Sequence, residues 1–377
     1  MQRLGLDLAT PTAGTVRAWL LRLGCFALTR PLPHDTPWVW LIDHTLQIGA
    51  VKLLVILGCP LATVPFGERP LCLADVQLVA LVPMEESNGT TVAAVLEQTV
   101  ARTGAPRLIA SDNGTDLNAG VALFQQRHPG TAHVHDLAHQ AANVLKQRWE
   151  KDERWASFLQ RLAQTGAQVR QTRVAHLLPP TLRPKARFMN VGPVLRFAGR
   201  VLRLLDKPAA GVAVAERYGW LREYRVALAD WTCAHEVVQA ALGQVRRHGV
   251  GRESAAELGA AWAEVAWTPG AWDVAARLRA SVRREGAQAA AGERLVGSTE
   301  VLESAFGKLK RVEGSYAGDG FTGLVLSLGA MTGTWSEADV CQALAAVPQK
   351  KAEGWVKRVL GKSVQWFRRL FVEDTKV

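Results

Sequence analysis

Three acidic residues stand where strands and a helix could bring them together. Asp43 follows the apolar run "WVWLI", Asp112 follows "RLIAS", and Glu303 lies in "GSTEVLESAFGKLKR" with Lys308 and Lys310 downstream. Carboxylates gathered at one edge of a sheet repel one another, and divalent cations between them relieve that cost. A few carboxylates, with water and phosphate completing the shell, suit Mg²⁺ or Mn²⁺ better than zinc. Two such ions can activate a nucleophile and stabilise a leaving oxygen in phosphodiester chemistry.

Each residue also has a plainer reading. Asn113-Gly114 after an apolar strand is a hairpin signal, since both residues tolerate positive φ, and Asp112 would then be turn punctuation. In the stretch 297–311, Ser298 reads as an N-cap and Leu302, Phe306 and Leu309 as a buried stripe. Glu300, Glu303, Gly307 and Lys310 share a neighbouring face, a spacing that a salt-bridged surface helix also shows. Glu300, one turn from Glu303, competes for the same role.

The elements that must position these groups are legible as hydrophobic patterns. "WVWLID", "VKLLVILG" and "VQLVALVP" read as three strands ending near Asp43, Gly58 and Pro83. A helix over 90–104 stops at Gly104, "RLIAS" is a fourth strand that delivers Asp112, a helix follows around 119–127, and "AHVHD" is a fifth strand feeding another helix. Three strands, helix, strand, helix, strand, helix is a mixed α/β layout with a sheet covered by helices. It is the element order of the ribonuclease-H-like fold, in which the first and fourth strands are neighbours.

With "SDNG" after a strand, an aspartate closing the first strand in "WLIDHT", and "ESAFGKLK" far downstream, the sequence resembles the catalytic core of the DDE transposase and retroviral integrase superfamily. Glu303 followed by Lys310 resembles the Glu and Lys of transposases whose third acidic residue follows a large insertion. "HDLAH" resembles the C/D-x-x-H signature of Mutator-like and related transposases at Asp136 and His139; the same two residues also read as a helix N-terminus capped by Asp136. His133, His135 and His139 invite a zinc reading as well.

The resemblance implies a bacterial insertion-sequence-type DNA transposase using two Mg²⁺ or Mn²⁺ ions. Asp43 would bridge both ions, Asp112 and Glu303 would hold one each, Lys310 would hold a phosphate, and Asp136 and His139 would support the site. Partners would be the element's terminal inverted repeats and target DNA, bound by a homodimer or higher oligomer. A ribonuclease-H-like nuclease without strand transfer, and a non-catalytic DNA-binding remnant of a transposase, are the alternatives.

Charge agrees with a polyanionic partner. The 377 residues carry a net +11, and residues 144–250 alone hold 19 Lys/Arg against 8 Asp/Glu, which accounts for the whole excess. That segment reads as helical, with tryptophans mostly in its core, and its densest basic cluster is Arg183, Lys185 and Arg187. The expected organisation is a helix-turn-helix-like segment (1–30), the first part of the core (31–143), a helical basic insertion (144–292), core completion (293–334) and a basic helical tail (335–377). Five scattered cysteines with no CxxC pair argue against a disulfide framework or thiolate zinc site. No apolar run is long enough for a bilayer, and the expectation is a cytoplasmic, nucleoid-associated protein without a membrane partner.

Overall fold

In a computed structural model, which describes residues 10–48, 51–182, 187–207, 211–313 and 323–361, the chain is α/β, with one five-stranded mixed sheet. Thr12 opens α1 (Ala13–Thr29), its hydroxyl accepting the Thr15 N–H at 3.1 Å. The three apolar runs form β1 (Trp38–Ile48), β2 (Val51–Pro60) and β3 (Gln77–Met84). They are followed by α2 (Gly89–Thr103), β4 (Leu108–Ser111), α3 (Thr115–Arg127) and β5 (Ala132–His135). Asn88 and Thr91 build a reciprocal capping box at the start of α2, and Gly104 ends it at φ 77°, a left-handed conformation that favours glycine.

The strand order is β3-β2-β1-β4-β5, with β1 in the centre. β1 and β2, and β2 and β3, are antiparallel, whereas β1 and β4 run parallel from Val39–Leu108 to Ile42–Ser111. Both faces of the central strands are covered, which is why β1 and β2 are continuously apolar rather than alternating. On one face Trp38, Trp40, Ile42, Leu54, Ile56 and Ile109 form a core with Val92 and Leu96 of α2 and Val121 and Phe124 of α3. On the other, Val39, Leu41, Leu53, Val55 and Leu57 are equally excluded from water. Here α1, α11 (Glu300–Glu313) and α12 (Ser327–Met331) pack against β1 and β3. α1 approaches closely through glycine: a Cβ on Gly24 would lie 1.7 Å from the Leu326 carbonyl oxygen.

The chain divides into two compact units, residues 1–134 with 298–377, and residues 135–297. Within the described part of the first, α13 (Glu337–Ala346) and α14 (Gln349–Val359) pack on α1. The second contains α4 (Leu137–Trp149), α5 (Glu153–Val169), α6 (Gly192–Leu205), α7 (Val212–Tyr218), α8 (Arg225–His248), α9 (Ser254–Ala261) and α10 (Pro269–Gly286). Its core is aromatic: Trp155 lies 4.9 Å from Trp149 and 4.8 Å from Trp231, centroid to centroid. Trp149, Trp155, Trp231 and Trp262 are buried, whereas Trp272 is exposed.

Several boundaries differ from those read in the sequence. β1 does not close at Asp43 but continues to Ile48, because pairing with β2 through Asp43–Val55 and Thr45–Leu53 carries the polar residues along. α3 begins at Thr115 rather than near 119, and the units divide at 134/135 and 297/298 rather than 143/144 and 292/293. Of the helix-turn-helix reading, residues 1–9 lie outside the described residues, and α1 docks onto α12 by its second half. Residues 362–377 of the basic tail also lie outside them. Among the described residues no helix is long and apolar enough to cross a membrane.

Candidate active site

The parallel pairing of β1 and β4 ends at Ile42–Ser111. Asp43 is the next residue of β1, and Asp112 is the first residue past the end of β4. Side chains alternate along a strand, so Asp43 lies on the same face of the sheet as Leu41, and Asp112 opens the turn that leaves β4. β4 turns away after Ser111 while β1 continues, which opens the sheet beside Asp43 at the carboxyl ends of the parallel pair. Open α/β sheets characteristically bind ligands there. Both aspartates are half-buried.

The turn that carries Asp112 is held at both ends. The Ser111 hydroxyl donates to the Asp112 carbonyl at 2.9 Å and lies 2.8 Å from Nε2 of buried His133. Its one proton is committed to that carbonyl, so His133 Nε2 is the donor to Ser111. Asp112 Oδ1 in turn accepts the Gly114 N–H at 2.8 Å. Asn113-Gly114 is no positive-φ hairpin turn: Gly114 caps α3 at φ −58°. Glycine here leaves room for the carboxylates, since a Cβ at 114 would meet Asp112 Oδ1 at 2.9 Å and Asp116 Oδ1 at 3.2 Å.

Asp116, Lys52, Ser87 and His44 form a network beside Asp112 that the sequence reading missed. Asp116 Oδ2 accepts from the Ser87 hydroxyl at 2.5 Å and from Lys52 Nζ at 3.0 Å. His44 Nε2 lies 3.1 Å from Ser87 Oγ, and because the Ser87 proton goes to Asp116, His44 donates through Nε2. Burial disfavours the Asp116 anion, but the Ser87 and Lys52 hydrogen bonds, with the His44 and Lys52 charges, outweigh it and hold the carboxyl at about 2. Burial pushes the His44 imidazole below its ordinary value, against the pull of Asp116 and Asp112. The available signal was the i, i+4 repeat of aspartates in "DNGTD". Lys52 comes to it only through the β1–β2 hairpin.

α11 packs against β1, the strand that carries Asp43. Leu302, Phe306 and Leu309 are buried as the spacing required, and Glu303, Lys308 and Lys310 are exposed, with Glu300 half-buried. The Glu300 N–H donates to Ser298 Oγ at 3.3 Å, but α11 begins at Glu300, so Ser298 stands one residue before the N-cap position, which Thr299 holds. Among the described residues no three His, Cys, Asp or Glu side chains converge closely enough to hold a metal ion. The donor chemistry of Asp43 and Asp112, two carboxylates brought to the end of one parallel strand pair, nonetheless suits Mg²⁺ or Mn²⁺. Mg²⁺ is commonly held by one or two carboxylates with water and substrate phosphate, not by an all-protein cage.

No protein-family model matches the chain, and no curated protein matches it.

The remaining candidates lie in the second unit. Asp136 is 1% exposed and caps α4, accepting the His139 N–H at 3.3 Å and standing 2.6 Å from His139 Nδ1. His135 binds Glu285 instead, through its N–H at 3.2 Å and Nδ1 at 3.3 Å, and Gln140 Nε2 adds a bond of 3.1 Å. His133, His135 and His139 thus each face a different partner, and no zinc site is formed among the described residues. Arg187 Nη2 lies 3.7 Å from Glu150 Oε1, with its guanidinium 5.1 Å from the Phe188 ring centroid. Arg183 and Lys185 lie outside the described residues.

Proposed function

We propose that the chain is a DNA transposase with a ribonuclease-H-like catalytic core of the DDE type, cutting strands at element ends and joining the freed 3′-hydroxyl to target DNA. The observation that carries this reading is the register of the central sheet. Asp43 and Asp112 each come one residue past the last β1–β4 pair, and α11 with exposed Glu303 packs on the same strand β1. Neighbouring first and fourth strands with a helical unit before Glu303 are what the sequence resemblance implies.

In this reading Asp43 and Asp112 hold divalent cations, and Glu303 belongs to the same site. The cations would supply charge for activating water or a 3′-hydroxyl and for stabilising the leaving oxygen. Asp112 is held by Gly114 and by the His133–Ser111 pair, so little reorganisation is needed when DNA arrives. Lys308 and Lys310, exposed on α11, would meet phosphates, and the 19 Lys/Arg of residues 144–250 would supply cationic charge for the polyanion.

The test is a Mg²⁺-dependent cleavage assay on labelled duplexes taken from inverted repeats flanking the gene, with a supercoiled target plasmid. Nicking that is lost in Asp43→Asn, Asp112→Asn and Glu303→Gln, with strand-transfer products on the plasmid, is expected. Wild-type rates in all three variants would overturn the assignment. Cleavage without transfer would leave a nuclease in place of a transposase.

A further inference from the structure

Asp116 is an unusual neighbour for a metal-binding aspartate. Its carboxylate and that of Asp112 flank the same point above Gly114, at 3.2 and 2.9 Å. A second anion so close would compete for any cation or drag it off Asp112. It is instead occupied: one oxygen takes both the Ser87 hydroxyl and the Lys52 ammonium, and His44 fixes Ser87 from the other side.

Stability alone explains little of this arrangement. Lys52 is 35% exposed, and an ion pair at that exposure contributes little to folding. Its position matters more than its strength. Lys52 pairs with Met84 at the end of the β2–β3 ladder, and Ser87 is three residues beyond Met84, so two strand ends converge on Asp116.

We propose that the Lys52–Asp116 pair sets the charge beside Asp112 and thereby the affinity of a divalent cation there, with Ser87 and His44 holding the pair in register. This rests on the reading of Asp43 and Asp112 as metal ligands. Lys52 and Asp116 are positioning residues: neither is asked to touch the reacting atoms. One unit of charge beside a dication, in a site largely screened by water, changes affinity by a factor on the order of ten.

The charges have opposite signs, so the variants must move in opposite directions. Mn²⁺ binding to the full chain, measured by electron paramagnetic resonance at low ionic strength without DNA, reads this directly. Lys52→Ala should tighten Mn²⁺ binding about tenfold and Asp116→Asn should weaken it about tenfold. The double variant should return close to wild type, and Lys52→Arg should bind as wild type does. Melting curves establish that each variant is folded. If the two single variants shift in the same direction, or neither shifts, the pair does not set the charge and the inference fails. If wild type binds no Mn²⁺, or Asp43→Asn and Asp112→Asn leave binding unchanged, the underlying metal reading fails and takes the inference with it.

Discussion

Gly114→Ala separates the site from the fold. The backbone at 114, φ −58° and ψ 130°, is open to any L-residue, and losing a glycine restricts the unfolded chain, a gain of about 0.4–1 kcal/mol. The new methyl would stand 2.9 Å from Asp112 Oδ1, inside the roughly 3.5 Å at which carbon and oxygen rest comfortably. The atom that must yield is the free end of a half-buried carboxylate, so the fold gives way cheaply. A retreat of about half an ångström stretches the 2.8 Å bond from the Gly114 N–H towards its breaking point. A hydrogen bond to a charged group contributes about 1.5 kcal/mol at the lower end of its range, suited to a half-exposed site. Loss of that restraint on Asp112 should weaken Mn²⁺ binding about tenfold, while Tm moves by no more than about 4 °C. Isothermal titration and thermal melting on the same preparation measure both. Unchanged affinity would refute the claim that this turn holds Asp112 for an ion, and a collapse in Tm would make it a folding element instead.

Other outcomes follow from the packing and the charges. Gly24→Ala drives a methyl to 1.7 Å from the Leu326 carbonyl oxygen, a backbone atom that cannot retreat without moving α12. It should cost about 3 kcal/mol, read as a fall in the denaturant midpoint. Glu285 is buried, and that burial opposes its ionisation, but its bonds to His135 outweigh the penalty and hold the carboxyl below its ordinary value. Its folded pKa is depressed, so its stabilisation is present above the unfolded value near 4.5 and is lost as pH falls below it. Glu285→Gln should flatten that acid limb in urea titrations as pH falls below about 4.5. Trp262 is 1% exposed and donates to the Val237 carbonyl at 2.9 Å; Trp262→Ala should destabilise the second unit by about 3–5 kcal/mol, visible in near-ultraviolet dichroism on melting.

Where local sequence fixes local structure, the reading from residues succeeded. α2 lies between Asn88 and Gly104, an N-cap and a left-handed stop, and three buried apolar runs became three strands. Where tertiary pairing decides, it did not. The first strand reads in the sequence as ending at Asp43, because the alternation in "HTLQI" is short and polar, whereas the segment is extended because β2 folds back on it. Asn-Gly signalled a turn, yet the property of Gly114 that matters is its missing Cβ rather than a positive φ. Lys52 and Asp116 are 64 residues apart, and only the hairpin register brings them together. The docking of α1 through Gly24 was equally hidden, since a glycine within "LRLGCFAL" says nothing of which backbone will lie against it.

The central claim is that Asp43 and Asp112 hold divalent ions on which DNA strands are cut. Crystals of the full chain with a short duplex from an element end, soaked in Mn²⁺ and measured at the manganese edge, address it directly. An anomalous peak between the Asp43 and Asp112 carboxylates, lost in Asp112→Asn, is the expected result. Ordered DNA with no peak there, or a peak on other residues, would contradict the account.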